Sequence, residues 1–501
     1  MTSPEHTLSA GKSAGAGVLA ATCISALIVN ANTSAVSILL PAISQDVGMS
    51  TTDLQWAVTG YSLVGAAVIV TAGALGDIAG RRKVFTGALV LFVVSCALIA
   101  MTGSGEGVII GRCIQGAAGS TLLACGLSLL SVASSGTGQL KAVSLWGAAS
   151  AVGAAAGPLI GGLLVDTAGW QGLFWIDLVI AALCIPLTLA TVEESNDPNR
   201  PRSLDLAGMV LIAGLLVPFV LALSLGSGWG WGSVQTLGCF AVSAASGFAF
   251  VKVEQRATAP LVDLKLLRNG VLVGSTLAIL IGAGTINGLM YVVSLYFQDP
   301  AGLGMSPLQA GMATLPATLG LILVTPFVTR LAVRIGSRPT IAVGFAITTI
   351  GFAAIIFITD DWKYGTFVLP LIAIAIGMGL SNNTASSAAT ASVDAAQVGE
   401  ASGISNMARY VGAALLTAAV ATIYGGAADD AGSGADRAQG IVDGVAGSAL
   451  LMTVISGLGI GVALLYGRHR PAQPRLVDQT TAAAAVVHTI PLPSTPTNAP
   501  R

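Results

Sequence analysis

Gly73-Ala74-Leu75-Gly76-Asp77-Ile78-Ala79-Gly80-Arg81-Arg82-Lys83 joins two largely apolar runs, roughly residues 55–76 and 84–103. Glycines in this order let two helix ends approach closely around a tight turn. Asp77 is placed to meet a cation or a helix N-terminus. Arg81, Arg82 and Lys83 are placed to meet anionic lipid or a helix C-terminus. Charge alone would suit a stop-transfer loop equally well. The ordered glycines and the single acid favour a built turn between two spans.

Outward from this turn the same pattern repeats. A helix needs about 20 largely apolar residues to cross the hydrocarbon core. Fourteen stretches meet that need, roughly 16–40, 55–76, 84–103, 107–131, 140–165, 172–191, 204–225, 233–251, 270–296, 307–329, 339–358, 366–389, 401–424 and 443–467. They are too long and too uniformly apolar for barrel strands, which alternate over about ten residues. Of 501 residues, 54% are hydrophobic and only 9% charged, against about 25% charged in soluble domains. Charges so scarce cannot cover a soluble surface, so an all-α polytopic membrane protein is expected. A net charge of −1 leaves no basic face for nucleic acid. Cys23, Cys96, Cys113, Cys125, Cys184 and Cys239 all fall inside apolar stretches and read as small core residues. His6, His469 and His488 lie in the tails, so no His-ligated metal or haem is expected in the spans.

Residues 1–15 form a short polar lead. The first span is longer than a signal core and others follow it, which argues against cleavage. Residues 468–501, rich in Pro, Ala and Thr, read as a disordered cytoplasmic tail. Lysine and arginine set the orientation. With the N-terminus in the cytoplasm, inner loops hold Arg81, Arg82, Lys83, Lys141, Arg200, Arg202, Lys252, Arg256, Lys265, Arg268, Arg330, Arg334 and Arg338. Outer loops hold only Lys363 and Arg437, and carry instead Asp46, Asp53, Glu106, Asp166, Asp299, Asp360, Asp361, Asp429 and Asp430. Both termini are therefore expected on the cytoplasmic side of a plasma-membrane protein.

Two further motifs lie inside spans. Arg112-Cys113-Ile114-Gln115-Gly116 falls in the fourth. A cation near mid-membrane costs about 2.5–3.5 kcal/mol on insertion scales, so it should face a cavity or a partner. Gln115, one turn on, shares its face. The fifth span carries Gly147, Gly153, Gly157-Pro158 and Gly161-Gly162. Small residues at helical spacing permit close backbone contact, and Pro158 bends the helix where a neighbour can satisfy the freed backbone.

Together these motifs resemble those of the major facilitator superfamily. The turn containing Gly73, Asp77, Gly80, Arg81 and Arg82 looks like its signature loop, which latches one helix bundle on the cytoplasmic side. The Arg112 stretch resembles the arginine motif of its drug exporters, where the cation influences protonation of nearby groups. Gly-Pro-x-x-Gly-Gly at residues 157–162 looks like the antiporter motif. Gln55-Trp56 with Tyr61, and Pro260 through Asp263, narrow the likeness. So do Phe297-Gln298, Gly304, Ser306, Pro307, Gln309, Ala310-Gly311 and Leu315-Pro316. The narrower likeness is to the fourteen-span drug:proton antiporters of the EmrB/QacA type, over residues 16–467. It implies the major facilitator fold, with six-helix bundles at 16–191 and 270–467 and a linker at 192–269 holding two extra transmembrane helices. The substrate path would run between the bundles near the midplane.

The departures from that pattern concern acids. The family usually has an aspartate nine residues before a proline in the first span. Counting back from Pro41, Asn32 stands there, and an amide cannot titrate. The sixth span opens Trp170-Gln171-Gly172-Leu173-Phe174-Trp175-Ile176-Asp177, with Gln171 where the family usually has arginine and Asp177 where it usually has asparagine. A carboxyl that deep is costly to keep charged. Asp177 is either a proton carrier modulated by Arg112 or an interfacial carboxylate in an aromatic belt with Trp170 and Trp175. In the second bundle no acid lies well inside a span. Asn287, Tyr291 and Ser294 share one helical face, as do Asn406, Arg409 and Ala413. With Tyr61, the residues Asn287, Tyr291, Asn406 and Arg409 are candidate cavity residues, although bonds across helices would explain the asparagines as well. The counterpart of the signature loop, Arg330 to Arg338, has Val333 in place of the acid, so any latch would be asymmetric.

Gly11-Lys12-Ser13 ends like a phosphate loop, but His6 stands where that loop needs its first glycine, so ATP binding is not expected. No nucleophile–base pair, metal set or cofactor motif points to an enzyme. The expected function is secondary active export of a small hydrophobic compound, a drug or antibiotic, by alternating access and proton antiport. One proton moving inward supplies about 2.3 kcal/mol per 100 mV. The same scaffold could export a lipid or lipid-like metabolite. A non-transporting membrane receptor or scaffold is the alternative from another class. Protons and membrane lipid are the other expected partners, and a chain with both bundles can work as a monomer.

Overall fold

The computed structural model describes residues 15–134, 136–195, 205–257, 260, 262, 264–393, 397–430 and 435–465. The expected lead (except Gly15), the tail and the linker arginines Arg200 and Arg202 lie outside these residues. Among the described residues the regular elements are all helices: α1 (Ala16–Val47), α2 (Thr51–Leu54), α3 (Trp56–Ala79), α4 (Arg81–Met101), α5 (Gly105–Ala133), α6 (Gly136–Ala168), α7 (Gln171–Thr191), α8 (Leu206–Trp229), α9 (Val234–Glu254), α10 (Gly270–Gln298), α11 (Pro307–Ala313), α12 (Leu315–Ile335), α13 (Ser337–Ile355), α14 (Tyr364–Ala391), α15 (Val398–Asp430) and α16 (Ala435–Leu465), with a 3-10 turn at Leu266–Arg268.

Among the described residues twelve helices are long and apolar enough to cross a membrane, and the segments Thr51–Ile69 and Thr71–Ala79, bent by 46° within α3, make a thirteenth if they count as one span. The expected tenth span is split. Ser306 and Gln309 form a capping box that starts α11, the chain breaks at Thr314, and α12 begins with Pro316 in its first turn. A proline there removes only an N–H that has no helical acceptor. Large apolar side chains such as Val90, Val94, Leu98 and Phe248 are exposed, as they should be where hydrocarbon is the solvent.

One packing plan is used twice. α1 lies along α6, α3 along α5, and α4 against α5 and α7. In the same way α10 lies along α15, α12 along α14, and α13 against α14 and α16. The repeat extends to the turns. Gly80 (φ 107°) is the single residue between α3 and α4, and Gly336 (φ 91°) the single residue between α12 and α13. Side chains with a Cβ rarely adopt such φ values, so glycine is required at both. α8 and α9 pack on each other, and α8 also meets α3 and α15, covering the seam between them.

Candidate functional site

α1, α5 and α7 converge on a buried polar chain. Arg112 of α5 has no exposed surface. Its Nε donates to the Ala57 carbonyl of α3 at 3.0 Å, and its Nη1 donates to Asn32 Oδ1 and Gln115 Oε1. Asn32 Nδ2 then donates to Asp177 Oδ2 of α7 at 2.7 Å. The amide presents its acceptor to the cation and its donor to the acid, bridging the two without a charge of its own. The Tyr61 ring lies under the guanidinium, 4.3 Å from Cζ, a cation–π contact worth about 2 kcal/mol or more when desolvated. Tyr61 itself is held by a hydrogen bond between its hydroxyl and Thr33 Oγ1 at 3.1 Å, and Gln115 Nε2 donates to Cys96 Sγ. Arg112 thus meets partners, not open space. Asp177 faces inward, whereas Trp175 is exposed, so the aromatic-belt reading of Asp177 does not match its orientation.

The glycines of α6 let α1 sit close enough to supply Asn32. A Cβ on Gly153 would fall on the Leu27 carbonyl, on Gly157 against the Ala31 carbonyl and Ser34, and on Gly161 against Ala35. A Cβ on Gly162 would strike the Pro307 carbonyl of α11, and Gly311 of α11 is equally close to the Pro158 carbonyl. The motif is a contact surface on two sides.

At the end of the helices bearing Arg81 and Arg82, Asp77 Oδ1 accepts from Arg81 Nε (3.0 Å) and Nη2 (2.7 Å). Glu194, just beyond α7, accepts from the Arg82 backbone N–H at 3.1 Å, and Arg82 Nη1 donates to the Val192 carbonyl. A carboxylate at the N-terminus of α4 also complements the helix dipole. The turn is therefore tied to the chain after α7, a partner that sequence reading did not find.

The opposite, acidic end is closed between α10 and the α1–α2 region. Ser294 Oγ donates to the Ser37 carbonyl, Gln298 Nε2 to the Ile38 carbonyl at 3.1 Å, and Tyr291 OH to the Thr51 carbonyl at 3.1 Å. Of the candidate cavity residues, Tyr61 and Tyr291 are thus buried in contacts. The Asn287 and Asn406 amides bond back to the carbonyls of Ala283 and Ser402 on their own helices and are half-buried. Arg409 alone among them is exposed.

A family model described as the Major Facilitator Superfamily matches residues 22–417. The chain belongs to that superfamily. Among similar members, the tetracenomycin C resistance and export protein of Streptomyces glaucescens is 29% identical over 81% of this chain and 75% of its own length. The multidrug efflux pump LfrA of Mycolicibacterium smegmatis is 30% identical over 81% of this chain and 80% of its own. The crystal structure of an auto-inhibited POT family peptide transporter shares the fold, with a TM-score of 0.63 at 16% identity over 91% of this chain and 99% of that one. A major facilitator protein with these apolar helices is a multi-pass membrane protein of a transporter family that moves small molecules. Within this superfamily member, the structure brings Asn32, Tyr61, Arg112, Gln115 and Asp177 together. It places Tyr291 at the acidic-end seam and Arg409 apart from both.

Proposed function

We propose that the chain exports small, largely hydrophobic compounds of the drug or antibiotic kind by alternating access, driven by protons moving inward. It resembles the fourteen-span drug:proton antiporters, with bundles at 16–191 and 270–467 and α8–α9 in a linker at 192–269. Export proteins among its relatives support the direction. The observation that carries the coupling is the Arg112–Asn32–Asp177 chain, which buries one cation and one carboxyl with a single amide between them. When Asp177 takes up a proton, Arg112 loses its counter-charge, and a buried cation without one is strongly disfavoured. Proton uptake and helix packing are thereby linked. The end bearing Arg81 and Arg82 is cytoplasmic, as the lysine and arginine distribution requires, and the protein works as a non-enzymatic carrier in the plasma membrane. A single chain holds both bundles and suffices, with lipid around it.

The test is accumulation of a panel of fluorescent drugs in a pump-deficient bacterial host, with and without a protonophore. Lower accumulation of at least one compound, abolished by the protonophore, is expected. Accumulation equal to the empty-vector control throughout would refute export. Lower accumulation that survives the protonophore would refute proton coupling.

A further inference from the structure

Arg409 differs from Arg112 in exposure and in partners. It lies on α15 eleven residues past Val398, about 16 Å along the axis, well inside the span. It is exposed, and its Nη2 donates to Ser386 Oγ of α14 at 3.3 Å. No Asp or Glu occurs in α8, α10, α12, α13 or α14, and Glu400 of α15 is nine residues away on the opposite helical face. Of the other helices packed on α15, α3 has Asp77, bonded to Arg81, and α16 has Asp436 and Asp443 in its first turns, the latter bonded to Gln439. The charge of Arg112 is offset by Asp177 through Asn32. Arg409 has no such partner: among the described residues it forms no ion pair.

Its direction is fixed by packing. The face of α15 opposite Arg409 carries Ile404, Val411, Leu415 and Ala418, which share an apolar cluster with Ile212, Leu216 and Val220 of α8. Arg409 therefore points away from the flank covered by α8 and toward α14, where Asn383 and Ser387 are also exposed. The next residue, Tyr410, has its ring 6.3 Å from that of Tyr61, the ring beneath Arg112. A guanidinium held at this depth, accessible and paired with no carboxylate among the described residues, is a ready partner for a ligand anion.

We infer that Arg409, with Ser386 beside it, is the anion-binding point of the transport path, and that the preferred cargo is a hydrophobic body bearing one acidic group, such as a carboxylate. The inference rests on the export reading for its meaning as cargo recognition. Its location, one tyrosine pair from Arg112, lets a bound anion act on the cluster that handles the proton.

Equilibrium binding of pyrenebutyrate and its uncharged primary amide to the detergent-purified full chain provides the test, read by fluorescence anisotropy. Wild type should bind the acid at least tenfold more tightly than the amide. Arg409→Gln should erase that preference by weakening the acid alone, at an unchanged melting temperature, while Arg409→Lys keeps most of it. Equal affinity for both probes, no binding of either, or equal weakening of both by Arg409→Gln would overturn the inference. Tight, Arg409-dependent binding of the acid without gradient-driven movement in proteoliposomes would instead sink export and leave the anion site standing.

Discussion

Asn32 is the residue on which the buried cluster turns. Its amide carries no charge, yet it joins Arg112 to Asp177, and neither end can be reversed without placing donor against donor or acceptor against acceptor. Removing the acid from such a pair strands a buried cation, at a cost of about 3–5 kcal/mol. Asp177→Asn should therefore lower the melting temperature sharply and abolish the dependence of transport on a pH gradient. Asn32→Asp combined with Asp177→Asn returns an acid to direct contact with Arg112 and should recover most of the stability. A double variant as unstable as the single one would contradict the pairing. Tyr61→Leu, which deletes the ring under the guanidinium, should be more harmful than Tyr61→Phe, which deletes only the hydroxyl and its bonds, that to Thr33 among them; melting curves of the two variants decide. Both departures from the family pattern were legible in the sequence as separate events, an acid missing at Asn32 and an acid gained at Asp177. That they touch was not legible. The two positions are 145 residues apart, and only the packing of α1 on α7 brings them together.

Between elements, the decisive contact is α1 on α6, and glycines decide how close it can be. Gly153, Gly157 and Gly161 recur at four-residue intervals and all face α1, where an added Cβ would meet a carbonyl or Ala35. Gly147 belongs to the same run of small residues, but nothing lies within 4 Å of where its Cβ would be. Opposite outcomes follow for two similar substitutions. Gly157→Leu forces α1 away from α6, should cost more than the roughly 1–3 kcal/mol of ordinary overpacking because backbone must move, and should abolish transport. Gly147→Ala should be neutral or stabilise by about 0.5–1 kcal/mol, since a mid-helix glycine gives up more backbone freedom than alanine. Thermal melting in detergent and drug accumulation in cells measure both. The apolar runs made nearly every long helix legible, because a membrane span is a constraint on length and composition alone. The break at Thr314 was not, since a capping box and a first-turn proline inside one apolar run read as a continuous span. Nor was Glu194, whose role at the start of α4 depends on where α7 ends.

For the whole molecule, alternating access requires the acidic-end seam to open, and the seam is built on a missing hydrogen. Pro41 lies inside α1 and has no N–H, so the Ser37 carbonyl four residues earlier has no helical donor. Ser294 of α10 supplies the donor instead, and Gln298 binds both Ser294 Oγ and the next carbonyl, that of Ile38. The proline that served as a landmark for Asn32 thus also equips α1 to bind α10, a role invisible until the facing helix is known. Ser294→Ala leaves the Ser37 carbonyl unsatisfied when the seam is closed and hydrated when it is open. The difference is about 1–3 kcal/mol, or roughly a 5–150-fold shift toward the open seam. Pro41→Ala should shift the balance the same way by less, because the new N–H gives Ser37 a partner within α1. Ser37 is 6% exposed, so a cysteine placed there in a cysteine-depleted background reports the opening through its rate of labelling by a membrane-impermeant maleimide. The rate should rise by at least fivefold with Ser294→Ala; a rate equal to that of the parent would mean that the α1–α10 bonds do not hold this end shut.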